Sequence, residues 1–332
     1  MEAVGEISVA DAGVVPAEVF DSTEPCIVRG FVEDWPVVQA ANQSNEALAD
    51  YLSQFDAQLP LTVYVGSEDI GGRFFYNDDC SGFNFRSGTA TLAQVLGRLL
   101  GPAVDDDIDT LYVGSTPVDS WLPGFREAND VSLPVDDALV NFWLGSQTTI
   151  SAHYDFPDNL ACVVAGRRRF TLFPPDQLDN LYVGPIDKTP SGQAISLVDF
   201  DAPDLERYPK FADALAAAKV ADLLPGDVLF IPSMWWHHVT SSEPVNMLVN
   251  YWWCRTPLVM GAPSAALNHA ILALRNLPEH QRKAWKHLFD FYVFDSKPES
   301  FAHIPAGGRG MLEGLDDETI KRVRAEIAER VK

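Results

Sequence analysis

The sequence has few cysteines, few basic residues and no long hydrophobic run. No apolar stretch approaches the ~18–20 residues that cross a bilayer, and residues 1–15 lack the basic and apolar regions of a signal peptide. The four cysteines are widely spaced without a CxxC pair, which argues against a structural zinc site: Cys26, Cys80, Cys162 and Cys254. These absences predict a protein of the reducing cytoplasm that does not associate with a membrane.

Basic residues are outnumbered by acidic ones, 24 against 47, which gives a formal net charge of -23. A surface this acidic repels phosphate backbones, so we expect no nucleic-acid partner. Apolar residues are plentiful at 47%, with 8 Trp and 19 Phe, so the chain can bury a large core. Its 332 residues allow one large domain or one domain with an appendage.

The residue patterning divides the chain into three regions. Residues 1–110 mix short strands with helices, one of them at 91–100 behind a threonine cap at Thr89 or Thr91. Residues 111–255 carry short strands between Gly and Pro turns, which is typical of a sandwich or barrel. Residues 256–332 are helical and end in an apolar stripe that must be buried on this chain or on a second copy: Ile320, Val323, Ile327 and Val331.

Two local features of the β region lead to further predictions. Strand-like segments on both sides of Gly166 predict a β-hairpin over residues 159–173. The less regular residues 178–220 predict an insertion that packs outside the barrel.

A histidine and an aspartate stand two residues apart in a strand-like segment. His153 and Asp155 share a face of that strand, because side chains alternate with a period of two. Phe156 and Pro157 end the strand, so the pair lies at a strand mouth. Such a pair alone is more often polar surface than a metal site, so the interpretation depends on a third ligand.

That ligand is expected from a distant strand, where the run PGDVLFIP at 225–232 leads into Trp235-Trp236-His237-His238. Two imidazoles and one carboxylate on one side of a metal, with the other positions open, is the arrangement of non-haem Fe(II) oxygenases. His237 and His238 point in opposite directions in an extended segment, so only one of them can join the pair. The other is expected to support the site or to lie at the surface.

Iron with these three ligands keeps three positions free, enough for a chelating 2-oxo acid and O2. Zinc prefers a closed four-coordinate site and has no redox chemistry. The far carboxylate of such a co-substrate needs a cation, and the fork of Arg168 can bind it through two hydrogen bonds. Strand alternation places Arg168 on one face, and Arg167 and Arg169 on the other.

Together these residues resemble the cupin-like, Jumonji-C (JmjC) family of Fe(II)/2-oxoglutarate oxygenases, and most of all its factor-inhibiting-HIF type of hydroxylase. The matching stretches occur in the same order as in the family over about residues 15–255. The C-terminal helical segment is also of the kind found in the family. The matching stretches are residues 152–155, 166–177, 198–200, 206–209, 225–238 and 249–252.

The resemblance implies a mainly β fold: a double-stranded β-helix (cupin or jelly-roll) core with N-terminal α/β elements and a C-terminal helical segment that forms a homodimer. It implies that His153, Asp155 and His237 hold Fe(II), because in this family the ligand directly follows the tryptophan. A group of four residues is then expected to line the 2-oxoglutarate pocket: Arg168, Tyr112, Asn159 and Asn250.

The chain departs from the family at two positions of the site region. Arg168 stands where the family usually has lysine, and Ile150 stands where the protein hydroxylase has a threonine. Thr149 or Ser151 can supply the missing hydroxyl, and strand direction favours only one of them.

The resulting hypothesis is a 2-oxoglutarate-dependent dioxygenase that hydroxylates a protein side chain, a peptide or a small molecule. The alternatives are a cupin-type metal-binding sensor or structural protein, and a non-redox metal enzyme. The four co-substrate residues distinguish the dioxygenase from these alternatives, because a protein that only binds a metal does not need them.

Overall fold

The computed structural model describes residues 1–8, 14–101, 110–135, 137–190, 192–256 and 260–331. They form two compact units, residues 1–255 and residues 256–332. The strands all lie in the first unit: β1 (Glu2–Ala3), β2 (Gly5–Glu6), β3 (Cys26–Val28), β4 (Leu61–Gly66), β5 (Arg73–Phe74), β6 (Arg86–Ala90), β7 (Thr110–Pro117), β8 (Leu139–Gly145), β9 (Thr148–Tyr154), β10 (Asp158–Ala165), β11 (Arg168–Phe173), β12 (Lys219–Leu223), β13 (Val228–Ile231), β14 (Trp236–Ser241) and β15 (Asn246–Trp253).

The helices of the first unit are short and mostly N-terminal. They are α1 (Ala17–Asp21), α2 (Pro36–Gln43), α3 (Asn45–Ser53), α4 (Leu92–Leu100), α5 (Val118–Trp121) and α6 (Phe211–Ala217). Thr91 caps α4, since its hydroxyl accepts a hydrogen bond from the backbone N–H of Gln94, whose side chain in turn accepts one from the backbone N–H of Thr91.

Two mixed sheets form the body of this unit. One has six strands in the order β1-β12-β11-β14-β9-β5, and the other has nine in the order β2-β3-β13-β10-β15-β8-β7-β4-β6. Consecutive strands repeatedly change sheet, as in a double-stranded β-helix. The predicted fold class, mainly β with helical additions, is confirmed.

Strand β10 shows why this sequence builds a layered core. All eight of its residues are buried. Leu160 and Cys162 pack in a cluster with α2 and α3, whereas Ala161 and Val163 pack in the second cluster together with Phe170 of β11. Because both faces of the strand are covered, its sequence from Leu160 to Ala165 is continuously apolar rather than alternating.

The turn at Gly166 differs from the prediction. Strands β10 and β11 do not pair with each other: β10 lies between β13 and β15, and β11 lies between β12 and β14. The predicted hairpin is wrong, because the chain crosses from one sheet to the other at Gly166. That residue has φ +74°, and a Cβ there would lie 2.1 Å from Asn246 Oδ1, so the crossing requires glycine.

The insertion at 178–220 lies only partly outside the barrel. Leu181, Val198 and Phe211 pack with Phe173 and Trp236 in a third apolar cluster. Other residues of the same segment reach the interior and line the main cavity: Pro190, Gly192, Gln193 and Ile195.

The second unit is helical, as predicted, with α7 (Pro263–Leu274), α8 (Glu279–Phe289), α9 (Ala306–Arg309) and α10 (Asp317–Arg330). The side chain of Asp316 caps α10 by accepting a hydrogen bond of 2.8 Å from the backbone N–H of Thr319. Within the described ranges, no helix is long and apolar enough to cross a membrane. All four cysteines are free thiols, and the compartment stays a prediction.

Candidate metal centre and its cavity

Three potential metal ligands converge between two paired strands of the six-stranded sheet. His153 lies on β9, directly opposite His237 on β14, and Asp155 follows the last residue of β9. One ligand atom from each residue lies within 4.8 Å of the others. The two imidazole rings are 4.3 Å apart, and Asp155 Oδ2 is 3.6 Å from His237 Nε2. The geometry therefore brings together the histidine–aspartate pair and the more distant histidine.

The ring orientation of both histidines leaves the same nitrogen free for a metal. Nδ1 of His153 lies 3.0 Å from the carbonyl of Ser151, and Nδ1 of His237 lies 3.1 Å from that of Trp235. A carbonyl can only accept, so Nδ1 carries the proton and Nε2 keeps its lone pair. Each carbonyl comes from the residue two positions earlier, so the strand itself fixes the tautomer.

Burial sets the charge states of these groups. It raises the pKa of Asp155, an effect that nearby His153 opposes. Burial also lowers the pKa of His237 well below its ordinary value, and His153 adds to that decrease. A neutral imidazole is the form that binds a metal. A divalent cation would in turn neutralise the buried carboxylate, so this donor set fits such an ion.

A cavity of about 690 Å³ opens from the metal centre into the barrel. All seven residues singled out in the sequence line it: His153, Asp155, His237, Arg168, Tyr112, Asn159 and Asn250. Most of the remaining wall is aromatic or aliphatic, which is typical of a small-molecule site with a few directed polar groups.

Arg168 is a buried cation, and none of the described residues forms an ion pair with it. Only 5% of its surface is exposed, and no described residue accepts a hydrogen bond from its Nε. Burial lowers the pKa of Arg168 to about 10, so the guanidinium remains charged at neutral pH. The neighbouring Arg169 points outward and pairs with Asp222 at 3.1 Å, as strand alternation predicts. An unpaired buried charge is costly, so the cavity is suited to a ligand carboxylate.

Tyr112 and two asparagines supply further polar groups. Burial raises the pKa of Tyr112, which keeps its hydroxyl protonated and able to donate. Asn250 Nδ2 donates to Asn159 Oδ1 at 3.1 Å, and Trp143 Nε1 donates to Asn250 Oδ1 at 2.8 Å. The two amides therefore form an ordered pair within the cavity wall.

Trp143 and Trp252 are among the cavity residues that the sequence analysis did not single out. The buried Nε1 of Trp252 has no hydrogen-bond partner among the described residues. Trp252 stands two positions after Asn250, so the period of β15 could have placed it on the same face. No such signal marks Trp143, because its contact with Asn250 joins different strands.

Ser151 is the hydroxyl residue that lines the cavity beside Ile150, whereas Thr149 does not line it. His238 lies outside the ligand group and is buried, so it is not a surface residue. Its ring stacks on Phe200 at 4.3 Å, and neither ring nitrogen has a partner among the described residues.

Fold and site together define a cupin-type metal protein, and comparison with known families agrees. The cupin-like domain family matches residues 13–258, and the chain belongs to this family.

Several curated proteins resemble the chain. JMJ31 of Arabidopsis thaliana, a lysine-specific demethylase, is 31% identical over 347 residues, covering 92% of this chain and 58% of that protein. HSPB1-associated protein 1 of Rattus norvegicus is 38% identical, over 69% of this chain and 48% of that protein. The bifunctional peptidase and (3S)-lysyl hydroxylase JMJD7 of Homo sapiens is 27% identical, over 69% of this chain and 77% of that protein. The chain spans only about half the length of several of these relatives. A special likeness to the factor-inhibiting-HIF type stays a prediction.

Proposed function

We propose that this protein is an Fe(II)- and 2-oxoglutarate-dependent dioxygenase that hydroxylates its substrate. One observation carries the proposal: a group of two histidines and a carboxylate shares a cavity with a buried arginine that has no carboxylate partner among the described residues. The three ligands suit iron with open positions. The arginine suits the distal carboxylate of a dicarboxylic 2-oxo acid.

The roles of the protein side chains follow from their positions. His153, Asp155 and His237 would hold the iron, which supplies the redox chemistry with O2 when it is bound. Arg168 would pair with the distal carboxylate, and Tyr112 would donate a hydrogen bond to it. The aromatic walls exclude water, which strengthens these polar contacts.

The overall reaction balances with O2 as the oxidant. One oxygen atom enters the C–H bond of the substrate as a hydroxyl group. The other enters succinate, which forms together with CO2 from 2-oxoglutarate. The protein contributes by holding the C–H bond close to the metal and in a fixed orientation.

The alternatives do not use the buried arginine. In a metal sensor or a non-redox metal enzyme, Arg168 would remain an unpaired cation inside the barrel. Such a charge costs several kcal/mol, on the order of the penalty for other buried ions. A protein that uses only the metal has no compensation for this cost.

The substrate is proposed to be a protein side chain. Two of the relatives carry names that refer to lysine or a lysyl group, which favours a lysine-like side chain as the group acted on. Tyr64, Phe85 and Trp121 also line this cavity of about 690 Å³, which leaves room for a side chain beside the co-substrate. A small molecule is the second possibility, and nucleic acid is not expected because of the net charge of -23.

The proposal is tested by succinate formation from 2-oxoglutarate in the presence of candidate peptides. We expect succinate only when Fe(II) and O2 are both present, and a peptide product heavier by one oxygen atom. Succinate formation that is independent of iron would contradict the assignment.

We also propose that the helical unit forms a homodimer. Aromatic and aliphatic side chains are exposed along the end of α8 and after it: Trp285, Leu288, Phe291, Tyr292, Val293 and Phe294. An apolar patch of this kind favours a partner surface. We expect sedimentation equilibrium to give a mass about twice that of the chain, and the mass of one chain would contradict the dimer.

A further inference from the structure

Asp155 is held differently from the two histidine ligands. His153 and His237 lie within paired strands, where the ladder fixes the backbone. Asp155 follows the last residue of β9, in the crossing of residues 155–157 that leads to β10 in the other sheet. Its position therefore depends on contacts other than the β9–β14 ladder.

A second crossing runs beside the first. Residues 232–235 connect β13 of the nine-stranded sheet to β14 of the six-stranded sheet. The strands before and after the two crossings are paired, with Asn159 opposite Ile231 and Tyr154 opposite Trp236. The two crossings are thus neighbours at the metal end of the barrel.

Three hydrogen bonds join these crossings. The N–H of Met234 donates to the carbonyl of Asp155 at 2.9 Å. The hydroxyl of Ser233 donates to the carbonyl of Phe156 at 2.5 Å, and the N–H of Ser233 donates to Asp158 Oδ1 at 2.9 Å. Every residue from the metal ligand to the start of β10, except Pro157, is bonded to the other crossing.

Two features show that this contact is tightly defined. Met234 has φ +68°, a conformation that costs a residue with a side chain about 1 kcal/mol or more and persists only where its surroundings impose it. Asp158 is 2% exposed, and both of its oxygens are engaged. Oδ2 accepts a hydrogen bond of 2.6 Å from Arg255 Nε, which compensates the buried charge.

We propose that Ser233 and Asp158 are positioning residues for Asp155, and that their hydrogen bonds set the affinity of the metal centre. The proposal rests on the proposed metal site. Ser233 fixes the peptide group that follows Asp155, and Asp158 fixes Ser233. Without them, the carboxylate would have to be ordered by the metal itself, which reduces the net binding free energy.

The test is a titration of the metal-free 332-residue chain with Mn(II), a redox-stable probe for the iron site, with free Mn(II) counted by EPR. We expect Ser233→Ala to weaken binding about tenfold, which is the lower end of the effect of removing a group that orients a metal ligand. Ser233→Thr keeps the hydroxyl and should restore most of the affinity. Asp158→Asn provides a second variant, and it should also weaken binding because an amide holds the Ser233 N–H less strongly.

The control is Ser53→Ala, since Ser53 also donates to a backbone carbonyl, that of Ala49 at 2.7 Å, but lies in α3. It should bind Mn(II) as the wild type does. The EPR line shape of bound Mn(II) should change in Ser233→Ala and not in Ser53→Ala, even if both lose the same thermal stability. Unchanged affinity and line shape in both Ser233→Ala and Asp158→Asn would overturn this proposal but not the proposed metal site. Failure of the wild type to bind Mn(II) and Fe(II) would overturn the proposed metal site as well.

Discussion

Asp155→Ala is expected to lose Fe(II) binding while the metal-free protein stays folded. The substitution removes the only carboxylate of the three-ligand group, so affinity should fall by more than about 100-fold, the upper end for residues that merely orient a ligand. Without metal, the Asp155 carboxylate is a buried charge, and burial raises its pKa. Its removal should therefore leave the melting temperature of the metal-free protein at or above that of the wild type.

The measurement combines Fe(II) titration under anaerobic conditions with thermal unfolding of the metal-free protein. Asp222→Ala is the matched control, because this carboxylate is exposed on β12 and pairs with Arg169 away from the cavity. It should change neither binding nor turnover. Wild-type turnover by Asp155→Ala would refute the assignment of the metal site.

Arg168→Met is expected to weaken 2-oxoglutarate binding strongly and to stabilise the empty protein. Loss of the cation proposed to pair with the distal carboxylate should weaken binding by about 3 kcal/mol, roughly a hundredfold or more in Kd. Stability should change in the opposite direction. Burial lowers the pKa of Arg168 to about 10, so the folded state disfavours its charge at every pH below that value. We expect the substitution to raise the free energy of unfolding at neutral pH by about 1 kcal/mol.

Calorimetric titration of the iron- or manganese-loaded protein with 2-oxoglutarate measures the expected loss of affinity. Urea unfolding measures the expected rise in the free energy of unfolding. Arg169→Met serves as the control, since its partly exposed pair with Asp222 should contribute less than about 1 kcal/mol. The same pKa implies that the charge of Arg168 stays constant from about pH 6 to 9, so it should add no pH dependence to binding there. Tight 2-oxoglutarate binding by Arg168→Met would show that the cavity uses another group.

The sequence predicts those parts of the site that follow from the two-residue period of a strand. His153 and Asp155 share a face for this reason, and Arg168 and Arg169 point to opposite faces. The same period could have identified Trp252 from Asn250, since both lie on β15. Strand alternation shows only that His237 and His238 point in opposite directions. The family resemblance is what selects His237 as the ligand.

Features that depend on the choice of strand partner could not be predicted in this way. A glycine between two apolar strands suits a hairpin, but it equally suits a crossing between sheets, as at Gly166. Only the pairing of β10 with β15 and of β11 with β14 distinguishes the two. The contact between Ser233 and Phe156 is likewise invisible in the sequence, because it joins turns 77 residues apart.

The most direct test of the central claim is anaerobic visible absorption of the metal-free protein during addition of Fe(II) and then 2-oxoglutarate. The account predicts a broad charge-transfer band that appears only when both are present, and that Asp155→Ala and Arg168→Met do not develop at the same concentrations. Iron binding without such a band in the wild-type protein would contradict it, because the cavity at Arg168 would then not present 2-oxoglutarate to the metal.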